Sequence, residues 1–362
     1  PSLTSFTQLR VGRSPPTMHK TGTVSRSKNS YQPGPVALSN GTIVGGKWKV
    51  VKKLGAGGCG AVYAVETVGT PKMKAALKAE SNFVAGGSVL KIEVEILKRL
   101  KCRDHIATLL GAGKLDKYQY MVMTLLGECL CNLMRKKSRC SISTQTRIGI
   151  QVLHGLKIVH DIGFVHRDIK PANLALGRQG KAAHIIHILD FGLSREYVIN
   201  QGKTVMRRPR SRALFRGTTR YASVATHDRI EQGRCDDLWS LLYVMAECRN
   251  RLPWANIIMK NDVVEKKRAT PDQILLKDCP IQLLDFAQHL RQLTYYLRPD
   301  YMKLYTLLDE IMKEGEYKFS DPWDWDRNDK ATKTVDETQH TDDGEKEWSI
   351  QPEVFNLNPF GF

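Results

Sequence analysis

The chain has 362 residues, of which 41% are hydrophobic, and a formal charge of +18 from 55 Lys and Arg against 37 Asp and Glu. That composition excludes a wholly disordered chain, and the length suffices for one large domain or two medium ones. No apolar run approaches the ~18 residues of a membrane helix, residues 1–20 hold no signal-peptide core, and the 8 cysteines form no CxxC. A soluble protein of a reducing compartment is therefore expected, cytoplasmic or nuclear.

Residues 1–46 carry five basic and no acidic residues among many Ser, Thr, Pro and Gly, and read as a disordered basic arm. Short β-branched or aromatic runs follow at 48–54, 61–66, 74–80, 106–115 and 118–126 and predict strands. One helix interrupts them over 88–100, with Ser88 as N-cap and Val89, Ile92, Ile96, Leu97 and Leu100 at helical spacing. From Cys140 onward helical patterns dominate, over 142–162, 236–248, 281–297 and 299–313. Residues 316–362 hold 12 acidic and 5 basic residues, so a charge of about +20 rests on 47–315. The expected organisation is an arm (1–46), a folded domain (47–327) with a small sheet lobe (47–127) and a larger helical lobe (128–327), and an acidic disordered tail (328–362).

The string Leu54-Gly55-Ala56-Gly57-Gly58-Cys59-Gly60-Ala61-Val62 fits GxGxxGxV, a weak signal by itself because glycines also mark ordinary hairpins. A dinucleotide fingerprint must open a helix, whereas these glycines lead into the strand pattern Val62-Tyr63-Ala64-Val65. A glycine hairpin that lays backbone N–H groups over phosphates is the alternative. Lys78 ends the next apolar strand; in isolation it would be a snorkelling edge residue, but after a glycine loop it fits a phosphate-binding lysine that pairs with a helix carboxylate. Glu93 is the first candidate partner and Glu95, about 200° around the helix, the second.

The strongest signal is His166-Arg167-Asp168-Ile169-Lys170-Pro171-Ala172-Asn173 followed by Asp190-Phe191-Gly192. Asp168 would accept or orient a hydroxyl proton, and Lys170 would steady charge on a transferred phosphoryl group. Asn173 and Asp190 supply hard oxygens for Mg2+ on the phosphates of ATP. His184 and His187 read as hairpin residues, and Cys129-Leu130-Cys131 as a helix entry, since neither has a partner cluster at metal-ligand spacing.

Taken together these strings resemble a protein kinase. Phe215-Arg216-Gly217-Thr218-Thr219-Arg220-Tyr221-Ala222-Ser223 resembles the casein kinase I superfamily, and the strings at 236–243, 252–254, 297–301 and 324–326 bring the likeness closest to the tau-tubulin kinase branch, over about residues 44–327. The resemblance implies an α+β bilobal fold, with a small antiparallel sheet lobe holding one main helix beside a mostly helical lobe, and a serine/threonine kinase using ATP and Mg2+. It implies that Ala76 touches adenine, that Met123 backs the pocket and that Leu125 offers backbone groups to the base. Asp237 would brace the catalytic loop, and Thr218 would contact Asp168 and Lys170. Cys59 departs from the family's aromatic loop tip and is expected to be a partly exposed thiol. Arg195 and Arg220 match family positions that bind substrate anions, although no basic residue follows Leu252-Pro253-Trp254 before Lys260.

Lys203, Arg207, Arg208, Arg210, Arg212, Arg216 and Arg220 crowd the segment before Tyr221 without an acid. A solvated loop or a nuclear-import string at 207–210 would explain them, but their place beside Asp168 favours Arg216 and its neighbours as receptors for acidic or phosphorylated protein substrates. The expected partners are such protein substrates, with neither nucleic acid nor membrane, and the chain is expected to be a monomer. A scaffold that binds partners without catalysis is the alternative; a nucleic-acid module lacks any supporting motif.

Overall fold

In the computed structural model, which describes residues 36–57, 60–84, 87–326 and 349–362, the first third of the chain builds a six-stranded antiparallel sheet. The strands are β1 (Ile43–Val44), β2 (Trp48–Gly57), β3 (Gly60–Thr67), β4 (Lys74–Ser81), β5 (Leu109–Lys114) and β6 (Tyr118–Thr124), in the order β1-β2-β3-β4-β6-β5. Alternation along β4 sorts its two faces. Ala75, Leu77 and Ala79 join Val44, Trp48, Val50, Tyr63, Val65 and Val122 in a closed apolar cluster. Ala76, Lys78 and Glu80 point the other way, where helix α1 (Leu90–Arg99) crosses between β4 and β5.

α1 buries Leu90, Glu93, Ile96 and Leu97, so a carboxylate sits within its apolar stripe and is aimed at the sheet. Ser88 is one residue short of the N-cap, which is Val89. The Ser88 hydroxyl still accepts from Leu90 N (3.1 Å), and Glu80 also accepts there, from Leu90 N (3.2 Å) and from Ser88 itself (2.5 Å). A buried carboxylate at a helix N-terminus is favourable for the helix dipole.

The remaining elements are mainly helical: α2 (Leu130–Arg135), α3 (Ile142–Asp161), β7 (Phe164–Val165), β8 (Leu174–Leu176), β9 (Ile186–Ile188), β10 (Arg195–Glu196), β11 (Val198–Asn200), β12 (Thr204–Met206), α4 (Val224–His227), α5 (Arg234–Arg249), α6 (Lys260–Arg268), α7 (Asp272–Leu275), α8 (Gln282–Arg291) and α9 (Tyr301–Glu314). α3 and α5 are buried on nearly every side and form the centre of this lobe. Ser141 caps α3 by accepting from Thr144 N, a bond worth about 1 kcal/mol. The stretch after α9 clips back onto α3. Arg147, fully buried against the Trp323 ring (4.2 Å), donates to Asp321 O and Pro322 O, while Asp324 accepts from Ser141 N. No helix among the described residues is long and apolar enough to cross a membrane.

Two expected boundaries move. Residues 36–46, assigned to the arm, belong to the fold: β1 pairs with β2, and the Tyr63 hydroxyl donates to Val36 O (2.6 Å) and accepts from Leu38 N (3.0 Å). Residues 349–362, assigned to a disordered tail, pack on the helical lobe because they carry apolar anchors, with Phe355 and Ile350 buried. Residues 1–35 and 327–348 lie outside the described residues, as do Gly58 and Cys59, so the expectations for them find no structural account.

Candidate active site

The glycine run forms a hairpin and leads into β3, with Gly55, Ala56 and Gly57 facing Val62, Ala61 and Gly60. Gly60 has φ +107°, and a Cβ there would lie 2.3 Å from Ala79 O, so only glycine lets the loop fold down on β4. Leu54 is exposed at the start of the loop. Behind it, Ala76 faces Met123 across the β4–β6 pair, and Leu125 follows β6.

Lys78 reaches from β4 to two carboxylates on different elements. Its Nζ lies 2.6 Å from Glu93 Oε1 on α1 and 2.9 Å from Asp190 Oδ1. Burial by itself would lower the Lys78 pKa, but Glu93 and Asp190 hold the ammonium well above the ordinary lysine range. Burial likewise works against the Asp190 charge, yet the Lys78 ammonium outweighs it and keeps the carboxyl below its usual value. Glu95, the other candidate partner, pairs with Arg99 on the exposed face.

Asp190 adopts left-handed backbone (φ +65°), as does Arg167 (φ +70°). Non-glycine residues there store of the order of 1–3 kcal/mol each and persist only where surrounding bonds hold them. Both have such bonds nearby. Asp237, fully buried on α5, accepts from His166 N and Arg167 N at 2.7 Å each and from His160 Nε2 at 3.0 Å. Burial opposes its charge, but His160 and those amides keep its carboxyl below the usual range. Since Asp237 only accepts, His160 donates through Nε2 and takes the Tyr301 hydroxyl at Nδ1 (2.7 Å). Phe191, buried, lies against the His166 ring.

Asp168 is 7% exposed and is held from three directions. Thr218 Oγ1 donates to Oδ1 (2.7 Å), Lys170 Nζ to Oδ2 (2.6 Å), and Asn173 Nδ2 to the Asp168 carbonyl (2.9 Å). Lys170 also bridges to Thr218 Oγ1 (3.0 Å). The close approach depends on Gly217, whose φ is +107° and whose missing Cβ would fall 2.5 Å from Arg167 O. With Asn173 Nδ2 so engaged, its amide oxygen accepts no hydrogen bond from a described residue and joins the Asp190 carboxylate as a hard donor set, which fits Mg2+.

The turn 219–222, just before α4, is fixed by its carbonyls. Thr219 O and Ala222 O accept from Lys267 Nζ (2.9 and 2.5 Å), Arg220 O from Trp254 Nε1 (2.8 Å), and Tyr221 O from Ser240 Oγ (2.9 Å). The sequence gives no sign of Lys267, because Glu265-Lys266-Lys267-Arg268 looks like a solvated helix face. It is buried, with its ammonium over the Tyr243 and Trp254 rings.

The arginines expected to take anions differ in state. Arg195 and Arg210 share the buried carboxylate of Glu231, and Arg220 pairs with Glu247 (3.1 Å) while donating to Ala255 O. Arg195 and Arg220 are therefore partly neutralised within the chain. Arg216 is exposed and has no ion-pair partner among the described residues. Arg167, near the same cluster, is pushed down to about 10 by burial and by Arg195. His187 lies in β9 and His184 just before it, and Cys129 is the N-cap of α2.

Comparison with known proteins gives the following likenesses. A family model described as "Protein kinase domain" matches residues 48–308. The chain is 45% identical over 341 residues to the Caenorhabditis elegans protein named "Putative serine/threonine-protein kinase K06H7.1", spanning 91% of this chain and 99% of that one. It is 37% identical over 249 residues to "Inactive tau-tubulin kinase ttbk-6" of the same organism (65% and 86% covered). It is 30% identical over 309 residues to "Putative casein kinase I C03C10.2", also from C. elegans (82% and 89%).

Proposed function

Because the chain belongs to the protein kinase family, on the casein kinase I and tau-tubulin kinase branch, we propose that it transfers the γ-phosphoryl of Mg-ATP to Ser or Thr of acidic or phosphorylated proteins. Asp168 takes the hydroxyl proton of the acceptor, with Thr218 and Lys170 fixing its two oxygens. Lys170 then faces the charge that develops on the transferred group. Lys78 receives the phosphates, and the glycine hairpin with Ala56, Gly57 and Gly60 covers them. Asn173 and Asp190 would hold Mg2+, which neutralises phosphate charge when bound. Ala76, Met123 and Leu125 would receive the base.

The observation that carries this reading is the Lys78 bridge, which ties Glu93 and Asp190 together. A kinase site requires the lysine–glutamate pair to be formed and the aspartate to be in place for Mg2+, and the bridge holds Glu93 and Asp190 in that arrangement. For substrate choice, the support is the set Arg208, Arg212 and Arg216, which has no acid partner among the described residues. One relative is named inactive, so a partner-binding scaffold is the rival. Radiolabelled ATP with an acidic and a basic peptide, and Asp168→Asn as control, separates the two. Incorporation into the acidic peptide, lost in the variant, is expected. Equal incorporation by both proteins removes the catalytic claim, and preference for the basic peptide removes the substrate claim.

A further inference from the structure

The segment 349–362 lies beyond the span matched by the family model, yet it reaches the catalytic machinery. Its first anchor is Phe355, stacked on Tyr305 of α9 (4.6 Å between ring centres, 19°) and edge-on to His154 of α3 (5.7 Å). Arg298 Nη2 fastens the chain there by donating to Phe355 O (3.2 Å) and Leu357 O (2.8 Å). The second anchor is an aromatic pair: Phe360 stacks on Phe362 (5.8 Å) and meets Tyr197 edge-on (6.5 Å, 87°).

That second anchor sits on a joint. Val165, Tyr197 and Val198 form a small buried cluster, separate from the main core, and Phe360, Phe362 and Met206 complete its cover. Val165 stands three residues before Asp168 in the catalytic loop. Tyr197, Val198 and Met206 belong to the activation segment, where Tyr197 donates through its hydroxyl to His160 O (2.7 Å) and through its amide to Gly163 O (2.8 Å), and accepts from Arg207 N (2.7 Å). The aromatic pair thus closes the contact between the strand that leads to Asp168 and the β11–β12 hairpin that leads to Thr218 and Arg220.

We infer that Phe360 and Phe362 are positioning residues for phosphoryl transfer: they act as a clamp, supplied by a segment outside the matched domain, that holds the activation segment in register with the catalytic loop. A cluster of three buried residues is too small to stay shut without this cover, and opening would be local because Phe355 and Arg298 anchor the strap separately.

The test is the full-length chain with Phe360→Ala and Phe362→Ala together. The inference rests on Asp168 as the catalytic base, so a second readout independent of turnover accompanies activity. Expected are a fall of roughly tenfold in kcat/KM for peptide, about 1.4 kcal/mol, with KM for ATP unchanged, and faster amide exchange over 195–207 but not over 301–314. Unchanged exchange over 195–207, or a uniform rise across both stretches, overturns the clamp whatever the activity. If the double variant does not fold, Phe360→Leu, which keeps apolar cover but removes the ring edge on Tyr197, is read by the same contrast. A parent chain with no turnover would count against the catalytic reading alone, leaving the exchange contrast to decide the clamp.

Discussion

Lys267 offers a quantitative probe of the turn 219–222. Its ammonium is buried beneath residues 219–222, faces no carboxylate in an ion pair among the described residues, and has His227 Nε2 at 3.5 Å. Burial drives its pKa down to about 7 from 10.5. The neutral amine still has two hydrogens for Thr219 O and Ala222 O. Between pH 7 and 10 the unfolded chain binds this proton and the folded chain does not, so stability rises with pH across that window. The slope approaches 1.4 kcal/mol per pH unit, and from pH 7 to 9 the gain is about 2 kcal/mol. His227, itself pushed down to about 4 by burial and then by Lys267, does not titrate in the window, and Arg268 is tied to Asp228 and Glu265. Lys267→Met removes the titration while keeping an unbranched stem over the Tyr243 and Trp254 rings. Urea unfolding at pH 7 and 9 on both proteins isolates it, since every other group cancels in the difference. The wild type should gain about 2 kcal/mol more than the variant. Parallel profiles would refute the reasoning and mean that the two carbonyls and two rings keep the ammonium charged in the fold.

Two further outcomes follow from the site geometry. Asp237→Asn turns one acceptor oxygen into a donor that must face either Arg167 N or the pair His166 N and His160 Nε2, and should cost about 3 kcal/mol in urea unfolding along with most of the turnover; a loss below about 1 kcal/mol would show that the loop holds its left-handed turn at Arg167 unaided. Glu247→Gln keeps an acceptor for the Tyr221 hydroxyl but releases the Arg220 charge, so kcat/KM for an acidic peptide should rise about threefold, the scale of one half-exposed ion pair. No change there would place Arg220 away from the bound peptide.

Much of the site was legible because phosphoryl transfer demands particular residue types at short, fixed offsets. Asp168, Lys170 and Asn173 lie on one loop and Asp190 just past the β8–β9 hairpin that follows it, so sequence spacing is nearly spatial spacing. The choice between Glu93 and Glu95 was open in the sequence and is settled by helix phase, since only Glu93 shares the buried stripe of α1. Lys267 and Glu231 were invisible for the opposite reason. Each meets its partners only through tertiary packing, 45 or more residues from Ala222 in one case and 21 from Arg210 in the other. The strap is hidden in the sequence because the acidic composition of 316–362 masks Phe355, Phe360 and Phe362, whose packing depends on surfaces built by α3, α9 and the activation hairpin.

The charge excess takes on a different meaning once its partners are known. Of the seven cations before Tyr221, Arg207 pairs with Glu196, Arg210 with Glu231 and Arg220 with Glu247, so these three help to hold the activation segment in shape. Lys203, Arg208, Arg212 and Arg216 have no such partner among the described residues. The paired set is tied to β10 (Glu196), to the turn before α5 (Glu231) and to α5 itself (Glu247), whereas the unpaired set is exposed along the chain that leads to Gly217. On the proposed reading, an anionic substrate would meet charges that no carboxylate among the described residues competes for, just ahead of a turn, 219–222, whose carbonyls are held from below. Binding there would not need to order that turn first, which on the same reading would leave the interaction energy for placing the acceptor hydroxyl at Asp168.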